Sequence, residues 1–208
     1  MTNQRPAPSS PKGWYSRGYL PHLDQPATLQ AITFRLADSL PAERRAEWVV
    51  LLHLPNATQQ RARLQAYLDA GYGACWLTSP DVARLVEETL LLFDGERYRL
   101  LAWVIMPNHV HTLIETLPGC PLDKVIHSWK SFTSSRANAL LGRKGAFWHR
   151  DYYDRYIRNE RHLELAVRYI HANPVKAGLV ERAEQWPFGS ARLVDAPDET
   201  VTPPFAEG

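Results

Sequence analysis

The chain has 208 residues, 45% of them hydrophobic and 22% charged; this balance belongs to ordinary globular proteins and excludes extended disorder, a collagen-like repeat and a small disulfide scaffold. Its two cysteines, Cys75 and Cys120, form no CxxC pair and no zinc spacing, no apolar run reaches the roughly 18 residues of a membrane span, and the polar, proline-rich start is no secretory signal; a soluble cytoplasmic protein with reduced thiols is expected. The net charge of +2 is unevenly spread, because eleven Lys and Arg face five Asp and Glu between Asp123 and Lys176, giving that stretch +6 and the remainder −4.

Residues 1–26 hold five prolines and read as an irregular arm. From Ala27 to Leu36, Ile32, Phe34 and Leu36 alternate with polar partners, the period of a strand. Residues 42–70 read as helical, with Glu43 opening one segment and Gln59 to Leu68 forming another. Asp81 to Phe93 is a clearer helix, started by Ser79-Pro80 and carrying Val82, Leu85, Val86 and Leu90 on one face. Tyr98 to Met106 is a short apolar run between Gly95 and Pro107, which reads as a buried central strand. Pro107-Asn108 is turn chemistry, and His109 to Glu115 reads as the second strand of a hairpin. A long helix is expected from Leu122 to about Leu141, closed by Gly142. Residues 143–158 mix basic and aromatic types. Glu160 to about Asn173 is helical, with Pro174 ending it.

The order strand–helix–strand–strand–helix predicts an α+β sandwich with a ferredoxin-like split βαβ core, one antiparallel sheet with helices on one face. A single domain is expected over 27–193, with a helical insertion near 42–76 lying on the outside and a loose acidic tail over 194–208. A concentrated positive half suits a polyanion, because neutralised phosphates release counterions. Seven tryptophans and nine tyrosines make base stacking available, so nucleic acid is the expected partner.

The chemistry begins at His109-Val110-His111. On a strand, residues i and i+2 point to the same face, so both imidazoles project together, an obvious start to a metal site. A lone HxH also arises by chance, and the pair needs a third ligand and a reacting group. Tyr169 and Asn173 are one helical turn apart and share a face: one offers a hydroxyl that can attack phosphate, the other a hard oxygen donor. A His/His/Asn set suits Mg²⁺ or Mn²⁺ better than zinc. The plainer alternatives are a core tyrosine and a helix-ending asparagine.

At these residues the sequence resembles a known family. The string WVIMPNHVHTLIE (Trp103 to Glu115) is similar to the HUH segment of one-tyrosine transposases of the IS200-like superfamily. The strings RNERHLELAVRYIHANPVKAGLV (Arg158 to Val180) and WPFGSA (Trp186 to Ala191) resemble the REP-associated tyrosine transposases, a domesticated bacterial branch. RGYLPH (Arg17 to His22), TFRLADSLP (Thr33 to Pro41) and SWKSFTSSRAN (Ser128 to Asn138) fit the same branch, and the resemblance covers roughly residues 13–193. It implies a ferredoxin-like fold, His109 and His111 as metal ligands, Asn173 as the third, and Tyr169 as the nucleophile. It further implies a Mg²⁺ or Mn²⁺ cofactor and a 5′-phosphotyrosine intermediate with a free 3′-hydroxyl. The implied partner is single-stranded DNA folded as REP-type hairpins, handled by a monomer or homodimer at the bacterial nucleoid, with no membrane involved. Arg17 in the arm would reach bases beside the hairpin foot, and Arg150, Arg155, Arg158, Arg161 and Lys176 are candidates for phosphate contacts. Tyr152, Tyr153 and Tyr156 read as structural or stacking groups, with Tyr153 the strongest rival nucleophile. About 35 residues between Pro41 and Trp76 are additional to the minimal core. Two other classes stay open: a DNA-binding regulator that has lost strand transfer, and a metal-dependent nucleotide hydrolase that would not need Tyr169.

Overall fold

The computed structural model describes residues 13–16, 21–25, 27–40, 43 and 57–194. Its centre is a four-stranded sheet of β3 (Leu29–Leu36), β4 (Tyr98–Ile105), β5 (His109–Thr116) and β6 (Trp148–Tyr156). The spatial order is β4-β5-β3-β6, with every neighbouring pair antiparallel. Helix α2 (Pro80–Leu91) joins β3 to β4 and α3 (Leu122–Leu140) joins β5 to β6. This is the ferredoxin-like split βαβ arrangement expected from the element order.

The alternation of β3 and β5 decides what each face meets. Ile32, Phe34, Val110 and Ile114 pack with Val82, Val86 and Leu90 of α2 and with Val125, Ile126 and Trp129 of α3 in one apolar cluster. Ser79 precedes α2, Pro80 opens it and Asp81 sits in its first turn, a start that suits both the missing proline N–H and the helix dipole. On the opposite face, Ala102, Val104, Met106 and Leu113 pack against Ile170 of helix α4 (Glu160–Lys176). The two crossover helices therefore share one face, as expected, and α4 adds a layer on the other. α4 is capped by Asn159, whose Oδ1 accepts the His162 N–H at 2.9 Å.

Several sequence expectations are corrected. The arm is not irregular where it is described: β1 (Gly13–Ser16) and β2 (Pro21–Asp24) pair as an antiparallel ribbon. Its prolines mislead because Pro21 opens a strand, a position where a missing N–H is tolerated. β4 is an edge strand, not a central one. It is apolar because the C-terminal segment covers its edge: Ile105 N–H donates to Phe188 O at 2.8 Å, Trp103 N–H to Ser190 Oγ at 3.0 Å, and Trp186 Nε1 to Ile105 O at 2.9 Å. Strand β6 lies in the stretch read only as mixed basic and aromatic; it is the other edge of the sheet and keeps Arg150, Arg155 and Tyr156 exposed. Pro174 does not end α4 but lies inside its last turn. The helix that begins the insertion's described part, α1 (Ala57–Asp69), buries Leu64, Tyr67 and Leu68 and reaches the histidines, as shown below, instead of standing outside. Residues 44–56, much of the predicted helical stretch, and the tail beyond 194 lie outside the described residues. Among the described residues no helix is long and apolar enough to cross a membrane.

Candidate functional site

The β4–β5 hairpin turns at Pro107-Asn108 and delivers His109 to the start of β5, where Met106 N–H donates to His109 O at 2.8 Å. His109 and His111 share the sheet face turned toward α4, while Val110 joins the core behind them. Both imidazoles are buried, at 0% and 3% exposure. The Asn108 amide donates through Nδ2 to Tyr72 O at 3.0 Å, so its Oδ1 is the atom 2.7 Å from His109 Nδ1. An amide oxygen only accepts, hence His109 Nδ1 carries the proton and Nε2 presents its lone pair. His111 Nδ1 is 2.7 Å from Thr33 Oγ1, its cross-strand neighbour in register. The two Nε2 atoms then meet at 3.0 Å.

That convergence tests whether the pair suits a cation. Burial pushes the His111 pKa down to about 3, and burial together with His111 pushes His109 well below its ordinary value, so both rings are neutral near pH 7. Two neutral rings turning nitrogens toward each other satisfy the requirement of a metal for unprotonated imidazole. Two ligand atoms ~2.1 Å from one ion, at a right angle, stand ~3.0 Å apart. The orienting bonds of Asn108 and Thr33 are the outer support that metal-binding histidines require. The residues fit. Among the described residues no three His, Cys, Asp or Glu side chains are already grouped to hold an ion, so the remaining donors must be of other types or must shift.

Tyr169 comes to the same place from α4. Its ring stands edge-on to His111 with centroids 5.5 Å apart. Burial raises the phenol pKa, the Asp69 charge adds to that rise, and a hydrogen bond with Asn173 opposes it. Lys176 Nζ lies 5.0 Å from the centre of the Tyr169 ring. Asn173, 1% exposed, donates Nδ2 to Tyr169 O at 2.7 Å and accepts at Oδ1 from Gln65 Nε2 at 3.0 Å. Gln65 Nε2 also donates to Asp69 Oδ1 at 2.6 Å, and that carboxylate oxygen stands 4.0 Å from His109 Nε2. Asn173 is thus joined to the histidines through two residues of α1.

Gln65 and Asp69 escaped the sequence reading, although they share the one-turn spacing that singled out Tyr169 and Asn173. Asn108, Thr33 and the buried Arg35, which donates to Ser39 Oγ at 3.0 Å, were missed as well. Tyr153 lies opposite Thr33 in register, one strand further from His111. Its pKa is also raised, chiefly by burial. Arg150, Arg155, Arg158, Arg161 and Lys176 are all exposed, and Arg155 pairs with Ala31, whose side chain packs on the α4 face of the sheet. Arg17 lies outside the described residues.

Residues 76–173 match the family model described as Transposase IS200 like. The chain is 33% identical over 93 residues to a REP-associated tyrosine transposase of Escherichia coli (strain K12), a match spanning 45% of this chain and 54% of that protein. The chain thus spans about half the length of the curated relative it matches. A solved structure described as a REP-associated tyrosine transposase bound to a REP hairpin superposes with a TM-score of 0.49 at 19% identity, covering 86% of this chain and 82% of that one.

Proposed function

We propose, from the match of residues 76–173 to the IS200-like transposase model, that this chain cuts and rejoins single-stranded DNA hairpins of REP type, with Tyr169 as nucleophile. The observation that carries the reading is the meeting of Tyr169 with His111 at 5.5 Å, across from the convergent His109–His111 pair. A Mg²⁺ or Mn²⁺ ion would be held by His109, His111 and the Asn173 amide oxygen, and when bound it supplies Lewis-acid polarisation of the scissile phosphate. Tyr169 Oη gives up its proton and attacks phosphorus: the O–P bond forms, the P–O3′ bond breaks, the leaving 3′-oxygen takes up a proton, and the products are a 5′-phosphotyrosine and a free 3′-hydroxyl. The phosphodiester energy is conserved in that link, so rejoining to a second 3′-hydroxyl needs no nucleotide cofactor.

The chain's own residues prepare this step. Partly buried between α4 and the sheet, with its pKa raised, the phenol is protonated at neutral pH. The Lys176 ammonium lies 5.0 Å from the centre of its ring and brings positive charge to the same side of the site. Exposed Arg150, Arg155, Arg158 and Arg161 would track the DNA backbone, and Arg17 would read bases beside the hairpin.

An end-labelled REP-type hairpin strand, incubated with the protein and Mn²⁺ and run on a denaturing gel, tests the reading. A covalent adduct is expected from the unaltered chain and none from Tyr169→Phe, which should retain hairpin binding. Free cleaved product without adduct would indicate a hydrolase, and binding without cleavage a regulator. An adduct persisting in Tyr169→Phe and lost in Tyr153→Phe would move the nucleophile to β6.

A further inference from the structure

Helix α1 lies outside the stretch that matches the family model, yet it aims two polar side chains into the site. Gln65 and Asp69 sit one turn apart on the buried side of that helix, next to Leu64, Tyr67 and Leu68. Asp69 Oδ1 is 4.0 Å from His109 Nε2. Two donors bound to one ion at ~2.1 Å each lie between ~3.0 Å apart when adjacent and ~4.2 Å when opposite. Measured from His109 the carboxylate oxygen is within the span that one coordination shell allows, a small shift would complete its grouping with His111, and Gln65 holds it in place at 2.6 Å.

The donor chemistry points the same way. Two imidazoles alone favour later transition metals, whereas a carboxylate oxygen shifts a mixed set toward Mg²⁺ and Mn²⁺. A half-buried carboxylate beside two neutral imidazoles is stabilised when a positive charge offsets its partial desolvation. Lys176 is the cation near Asp69, and it is exposed. Gln65 is suited to release the oxygen, because its amide bonds Asn173 Oδ1 as well and keeps one partner if the other turns away.

We propose that Asp69 is an additional ligand of the divalent cation, supplied by α1 and joining His109 and His111 from the side opposite the strand. Asp69 then fixes both the choice of ion and the docking of α1, since metal binding ties the helix to β5. The inference rests on the cation site of the proposed function, and the experiment separates the two.

Mn²⁺ titrations followed by electron paramagnetic resonance, on the full chain without DNA, give the affinity directly. The unaltered protein should bind one Mn²⁺, His109→Ala should abolish binding, and Asp69→Asn should weaken it by at least ~10-fold. Gln65→Ala should weaken it less, because it removes only the support of the ligand. A crystal of the Mn²⁺-loaded chain, with the ion placed by anomalous scattering, should show an Asp69 oxygen in its shell. Equal affinity for the unaltered chain and a folded Asp69→Asn variant, or a shell in which Asp69 stays on Gln65, overturns the proposal and leaves the histidine site standing. No Mn²⁺ binding by the unaltered chain overturns the histidine site itself, and Asp69 with it.

Discussion

His22 is a main tie of the ribbon β1–β2 to the domain, and its strength should follow pH. His22 is fully buried between Asp154, whose Oδ1 hydrogen-bonds Nδ1, and Asp151, whose Oδ1 is 3.4 Å from Nε2. Its ring packs on Tyr152 with centroids 4.5 Å apart, and the Leu23 N–H donates to Asp154 Oδ2 at 3.1 Å. Burial alone would lower the imidazole pKa, but hydrogen bonds and charge from the two carboxylates reverse this and raise it from 6.5 to about 9. A shift of that size corresponds to at most ~3 kcal/mol favouring the fold. The Asp151 side chain is 17% exposed and solvent screens its share, so ~2 kcal/mol is the working figure. The folded value is the higher one, which sets the sign: the stabilisation is complete below pH 6.5 and is lost as pH rises through about 9. Urea unfolding of the chain and of His22→Gln, compared at pH 6 and pH 10, isolates this residue from the other titrating groups. The difference between the two proteins should shrink by ~2 kcal/mol across that range. A difference that stays constant, or a His22 ring proton that titrates by NMR at its ordinary value, refutes the reasoning.

Three further substitutions probe the support of the histidines and the DNA contact, and Tyr169→Phe above probes the chemistry. Gly73 has φ +91°, and a Cβ there would lie 2.6 Å from Asp38 O, so Gly73→Ala should destabilise by at least ~2 kcal/mol through strain and clash. Its neighbour Tyr72 O anchors Asn108, so this variant should also weaken Mn²⁺ binding; Gly71→Ala, where φ is +68° but nothing lies within 4 Å, should cost less, and equal losses in urea unfolding would contradict the clash. Arg155→Ala should weaken binding to hairpins of any sequence and make the log–log dependence of affinity on salt shallower by a little under one, read by fluorescence anisotropy. A slope unchanged from the unaltered chain would remove Arg155 from the phosphate path.

What the sequence reveals and what it hides divide along the range of the interactions. His109 and His111 are legible because strand period alone puts them on one face, and Tyr169 with Asn173 because helix period does the same. The register that brings those two faces together is set by contacts between distant segments. Thr33 pairs with His111 across β3 and β5, and Gln65 reaches Asn173 across 108 positions of chain. Nothing local to residues 57–69 says that they end beside β5. The misreading of β4 has the same origin. Its apolar run is a response to Trp186, Phe188 and Ser190, which lie more than eighty residues on and satisfy its edge. β6 was missed for the converse reason, because an edge strand that leaves Arg150 and Arg155 exposed needs no apolar alternation on that side.

The same distinction explains why the site sits where it does. A buried pair of imidazoles with lowered pKa values costs stability unless each ring nitrogen is satisfied. β5 meets that requirement only at its first turn, where Asn108 is free of the ladder's side-chain alternation and Thr33 stands directly opposite. One residue further along in register, the imidazoles would face α2 and α3, in the apolar cluster of Val86, Ile126 and Trp129. The hairpin turn therefore fixes both the register of the central pair and the chemistry on its outer face. Two elements then close over that face, α4 bringing the phenol and α1 the carboxylate. A polar site of this kind is built at a seam between layers because there the sheet can keep one face largely apolar while the other holds groups that a phosphate and a cation can still reach.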